Sequence, residues 1–107
     1  MKDLSKFSAV IIGAGDATGS AITKRFASEG YKVCPVRRPT SISKLEMLCD
    51  EINQSGGCAK GFGVDARNED EIINLFKEIE SSIAPIDVVI FNPGANVYFP
   101  IEETTSR

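Results

Sequence analysis

The feature that most constrains this chain is the run from Ser8 to Gly19, SAVIIGAGDATG, in which a short apolar strand breaks on a glycine-rich loop and opens directly into a helix-forming segment. Glycine permits the tight turn and the close backbone approach that such a junction needs. A helix N-terminus behind the turn adds unsatisfied N–H groups and the positive end of the helix dipole. The spacing predicts a strand over Ser8 to Ile12 and a helix over Gly19 to Glu29, with Ala21, Ile22, Phe26 and Ala27 along one face and Gly30 as its stop. The loop between them is a candidate pyrophosphate site.

The alternation continues down the chain. Lys32 to Val36 reads as a second strand, and Ser41 to Gln54 as a helix carrying Ile42, Leu45, Leu48, Cys49 and Ile52 at helical spacing. Ala59 to Val64 is a weaker third strand, interrupted by glycines. Asn68 to Ile83 is a third helix with Ile72, Leu75, Phe76 and Ile79 inward, and Asp87 to Phe91 a fourth strand. Strands alternating with helices imply right-handed βαβ units. The expected fold is therefore α/β, a Rossmann-like parallel sheet with helices on both faces. At 107 residues there is room for one core, so residues 1–107 form a single domain.

Charge and composition remove several classes of function. The net charge is −3, with acidic and basic residues interspersed and no basic stripe, so nucleic acid is not an expected partner. The apolar runs at Ala9 to Ile12 and Ile86 to Phe91 are far below the ~20 residues that span a bilayer, so no membrane association is expected. Met1 to Lys6 leads into no signal-peptide core, and the expected location is cytoplasmic. Cys34, Cys49 and Cys58 lack metal or redox spacing and read as reduced, partly buried thiols. The chain has no histidine, which excludes histidine triads, bases and metal ligands.

Aligned as Gly13-x-x-x-Ala17-x-Gly19, the loop resembles the T-G-x-x-x-G-x-G segment of the short-chain dehydrogenase/reductase family, with Ile12 in place of Thr and Ala17 in place of the middle Gly. Two further segments occur in the family's order. Gly63-Val64-Asp65-Ala66 looks like its Asp-containing stretch, and Phe91-Asn92-Pro93-Gly94 is similar to its N-N-A-G loop. The resemblance implies that Gly13, Gly15, Asp16, Ala17, Thr18 and Gly19 form the pyrophosphate loop, that Asp65 and Ala66 meet the adenine, and that Asn92 and Gly94 meet the nicotinamide-side ribose. Structural readings stand beside these. Asp65 is equally suited to bound the third helix, and Asn92-Pro93-Gly94 is also an ordinary turn.

The second strand ends in Val36-Arg37-Arg38-Pro39. An acid there binds the ribose 2′-OH of NAD, whereas arginine accepts the 2′-phosphate of NADP. Arg37 stands at that place and Arg38 follows, so NADP(H) is expected over NAD(H). The alternative is a pair of solvated arginines on a loop, and Asp16 is a departure from the basic residue some NADP-binding relatives carry in the glycine loop.

The family's Tyr-x-x-x-Lys is not in this sequence: four residues beyond Tyr31 and Tyr98 stand Pro35 and Glu102. No catalytic residue is nominated, and the chain alone is not expected to be catalytic. The resemblance covers the N-terminal, cofactor-binding half, truncated after the fourth strand. It implies hydride transfer between nicotinamide and a carbonyl or alcohol substrate, a small molecule, once a C-terminal half completes the site. That strand, at the sheet's edge, would be uncovered, so self-association or a partner chain is expected there. The rival reading is a non-catalytic dinucleotide-binding or interaction module. A methyltransferase fits less well, since that class wants an acid where Arg37 stands.

Overall fold

A computed structural model describes residues 3–14 and 17–92. The elements are β1 (Ser8–Ile12), α1 (Ala17–Ser28), β2 (Lys32–Arg37), α2 (Ile42–Gln54), β3 (Cys58–Ala59), β4 (Phe62–Gly63), α3 (Glu69–Ser82) and β5 (Ile86–Phe91), with 3-10 turns at Leu4–Lys6 and Pro39–Ser41. All described pairings are parallel, in the order β3-β2-β1-β5, with β4 also on β2. The expected α/β, Rossmann-like architecture is therefore present.

Alternate residues of the central strands feed two cores. Ala9, Ile11 and Val33 pack with Leu45, Leu48 and Ile52 of α2 and with Ile22, Phe26 and Ala27 of α1. Val10, Ile12, Cys34 and Val36 pack with Leu75 and Ile79 of α3. Both faces of β1 are thus covered, as its unbroken apolar run requires.

The third strand departs from expectation. Instead of one strand over Ala59 to Val64, two bridges of two residues each flank Lys60 and Gly61. The cause lies in β2. Val33 and Arg37 turn their carbonyls toward this strand, accepting from the N–H groups of Lys60 and Val64 at 3.0 and 2.7 Å. With a period of two, Pro35 faces the same way, and it has no N–H to give. The ladder lapses there.

Helix α1 begins two residues earlier than expected, and its inward face keeps Ile22, Phe26 and Ala27 but takes in Gly19 and Thr23 in place of Ala21. Gly19 and Thr23 are buried, while Ala21 is exposed. At about 100° per residue, Ala21 stands about 200° around from Gly19. On α2, Ile42 is 37% exposed and the inward face starts at Leu45.

The two edges of the sheet differ. At β3 the Asn53 side chain pairs with the strand's backbone, its Nδ2 donating to Ala59 O at 3.2 Å and its Oδ1 accepting from Ala59 N–H at 2.9 Å. At β5 the only strand partner among the described residues is β1, and Val89 and Phe91 are 36% and 50% exposed. Asp87 sits where the β1–β5 register slips, between Ser8↔Ile86 and Ala9↔Val88, and its carboxylate accepts the Tyr31 hydroxyl at 2.6 Å. The slip explains how an acid fits an otherwise apolar strand.

Candidate functional site

The C-terminal ends of β1, β2, β4 and β5 converge on one rim, the usual ligand position in an open α/β sheet. At its centre Gly13 has φ +89°. A Cβ on Gly13 would lie 1.6 Å from the Asn92 carbonyl oxygen, so glycine is required twice over, for conformation and for space. The N–H groups of Gly13 and Ala14 both donate to Val36 O, at 2.9 and 3.1 Å. Asn92 fastens the other side, its N–H donating to Ile12 O at 2.7 Å and its Nδ2 to Gly13 O at 3.2 Å.

Helix α1 closes the cradle from behind. A Cβ on Gly19 would meet Gly13 O at 2.5 Å and the Ala14 Cα at 2.6 Å. Ala14 is fully buried, and its carbonyl accepts from the Ser20 hydroxyl at 3.3 Å. Ala17 and Thr18 are exposed residues of the first turn of α1. The first four N–H groups of a helix have no partner within it, so these two positions offer donors at the loop. Gly15, Asp16 and Gly94 lie outside the described residues.

Arg37 closes β2 beside the loop. Its Nη1 is buried and has no hydrogen-bond partner among the described residues. A buried, unsatisfied donor on a cation is expensive, and a fixed anion would relieve it. Arg38 follows with an extended backbone and an exposed side chain, and Pro39 then starts the turn into α2.

Asp65 does not cap α3. That role belongs to Asn68, whose side chain accepts from Glu71 N–H at 3.1 Å. Asp65 instead accepts from Arg67: its Oδ1 takes the backbone N–H at 2.9 Å and Nε at 3.2 Å, and its Oδ2 takes Nη2 at 3.3 Å. The Arg67 hydrogen bonds, aided by the nearby charge of Arg38, hold this carboxyl below the usual range. Ala66 packs into the α3-side core. Arg67 is a residue that the sequence motifs did not single out.

Among the described residues no group of histidine, cysteine and acidic side chains is arranged to hold a metal, and no helix is long and apolar enough to cross a membrane. Of the thiols, Cys34 and Cys49 are buried, whereas Cys58 is exposed rather than partly covered.

Known proteins resemble this arrangement. Residues 8–107 match the family model described as short chain dehydrogenase. A fatty acyl-CoA reductase of Mycobacterium tuberculosis is 30% identical over 105 residues, which cover 98% of this chain and 35% of the relative. A solved short-chain dehydrogenase from Rhodopseudomonas palustris superposes with a TM-score of 0.77 at 45% identity, covering 94% of this chain and 46% of that one. A metagenomic short-chain oxidoreductase solved in complex with NADP superposes at 0.74 with 28% identity, covering 82% of this chain and 39% of that one. The chain thus spans between a third and a half of the length of these relatives.

Proposed function

The chain belongs to the short chain dehydrogenase family, and from that premise we propose that it forms the NADP(H)-binding part of an oxidoreductase that moves hydride between nicotinamide and a carbonyl or alcohol carbon of a small molecule. The observation that carries the cofactor choice is the buried, unpartnered Nη1 of Arg37 at the end of β2. A 2′-phosphate oxygen is a fitting acceptor for it, and a charge-assisted bond of this kind contributes roughly 1.5–3 kcal/mol, enough for a tenfold preference. A neutral ribose 2′-OH relieves it less. The NADP held by the metagenomic relative is in keeping with this reading.

In this reading the glycine loop and the first turn of α1, with the exposed Ala17 and Thr18, take the pyrophosphate, and Gly13 keeps the loop tight against β5. Arg37 and Arg38 take the 2′-phosphate, Asp65 meets the adenine beside Ala66, and Asn92 with Gly94 lies toward the nicotinamide-side ribose. When bound, the cofactor supplies or accepts the hydride. Three free thiols suit a reducing compartment, so the same reading places the chain in the cytoplasm. The dehydrogenase and reductase names of the relatives lend nothing to a non-catalytic module.

Calorimetry with NADPH and NADH tests the proposal. NADPH is expected to bind at least tenfold tighter, and Arg37→Ala to narrow that gap. Equal affinities for the two would overturn the cofactor assignment.

A further inference from the structure

The rim that takes a phosphate in this reading also carries an acid, and the two charges are alike. Asp65 follows the end of β4 by two residues, near Arg38, just beyond the point where Arg37 at the end of β2 pairs with Gly63. Glu71 stands close by, its Oε1 accepting from Asp65 N–H at 3.2 Å. Two carboxylates beside a 2′-phosphate would repel it through a partly screened medium. Arg67 answers one of them. It engages both oxygens of Asp65 side-on, and its side chain remains 81% exposed, open to solvent on its outer face.

We propose that Arg67 is a positioning and specificity residue for the nucleotide: by neutralising Asp65 it lets a carboxylate stand on the rim without repelling the 2′-phosphate. The inference rests on the NADP(H) reading above. Asp65 is charged at neutral pH like any ordinary aspartate, and the Arg67 hydrogen bonds hold its carboxyl below the usual range, so there is a full charge on the rim to neutralise. Arg67 acts on Asp65 more strongly than Arg38 does, so most of the Arg38 charge, with that of Arg37, is left to the phosphate.

The test compares 2′,5′-ADP with 5′-AMP by calorimetry, since these differ in the 2′-phosphate alone. For Arg67→Ala the preference for 2′,5′-ADP is expected to fall about two- to fivefold at low ionic strength, the size of an exposed ion pair, and to fall less in high salt. Arg67→Lys is expected to keep most of the preference, because it keeps the charge. The double variant Asp65→Asn/Arg67→Ala is expected to restore the preference, because it removes the acid instead of neutralising it, even where loss of the Asp65 contact weakens both nucleotides alike. An unchanged preference in Arg67→Ala, a loss in Arg67→Lys as large as in Arg67→Ala, or no restoration in the double variant would each overturn the inference while leaving the cofactor reading in place. A wild-type chain that shows no preference for 2′,5′-ADP would overturn the cofactor reading, and this inference with it.

Discussion

Substituting Gly19 with alanine sets two effects against each other. Gly19 is helical, so alanine gains about 1 kcal/mol in helix propensity. Against that, the new Cβ would lie 2.5, 2.6 and 2.8 Å from Gly13 O, Ala14 Cα and Ala14 C. All three are backbone atoms of the loop, so no side chain can rotate aside and the helix or the loop must move. Overpacking of a tight site costs about 1–3 kcal/mol, and a purely backbone clash belongs at the upper end. The net expectation is a loss of about 2 kcal/mol, or on the order of 10 °C in Tm at 4–8 °C per kcal/mol for a domain near this size. Gly56 serves as the contrast. Its φ is +96° and a Cβ added there would meet nothing within 4 Å, so Gly56→Ala costs only left-handed backbone strain, about 1–2 kcal/mol. Thermal unfolding and NADPH calorimetry together separate the two. Gly19→Ala is expected to lose both stability and NADPH affinity, because the displaced loop is the cradle, while Gly56→Ala loses stability alone. A Gly19→Ala chain at or above the wild-type Tm would refute the close helix–loop packing on which the site is built.

The thiols and the sheet edge give further checks. Burial pushes the Cys34 thiol up to about 12 and the Cys49 thiol up to about 11, above the ~8.5 of an unfolded cysteine. Their contribution to stability is therefore fully present below about pH 8.5 and is lost as pH rises through 11 and 12. Urea unfolding from pH 8 upward should show stability falling, with a shallower slope in Cys34→Ala; equal slopes would contradict it. A disulfide reagent at pH 8 should titrate one thiol per native chain quickly, Cys58. Asn53→Ala removes both hydrogen bonds to Ala59. At the low end for exposed bonds this costs about 1 kcal/mol, and it should speed hydrogen exchange at the Ala59 amide. Unchanged exchange there would show that β3 is held by its ladder alone.

What could be read from the sequence, and what could not, follows from where each cause resides. The alternation of strand and helix is written in runs of apolar residues, and the two cores use them as expected: Ala9 and Ile11 face one way, Val10 and Ile12 the other. Gly13 and Gly19 were legible because a backbone that nearly touches another backbone admits no other residue. The split of the third strand was not, because its cause, Pro35, sits in a different strand and acts only once the register places it opposite Gly61. The same holds for the cap of α3. Asp65 and Asn68 are both able to cap a helix, but the helix starts at Glu69, so Asn68 stands at the cap position and takes the Glu71 N–H while Asp65, further upstream, turns its carboxylate to Arg67. Arg37 combines the two cases. Its position after β2 marks it in the sequence as a phosphate ligand, but only the folded packing buries its Nη1 without a partner. That turns an exposed-looking loop arginine into a group whose stability depends on an anion. It follows that ligand and fold are coupled at this residue, so a bound 2′-phosphate should stabilise the chain more than the same nucleotide without one.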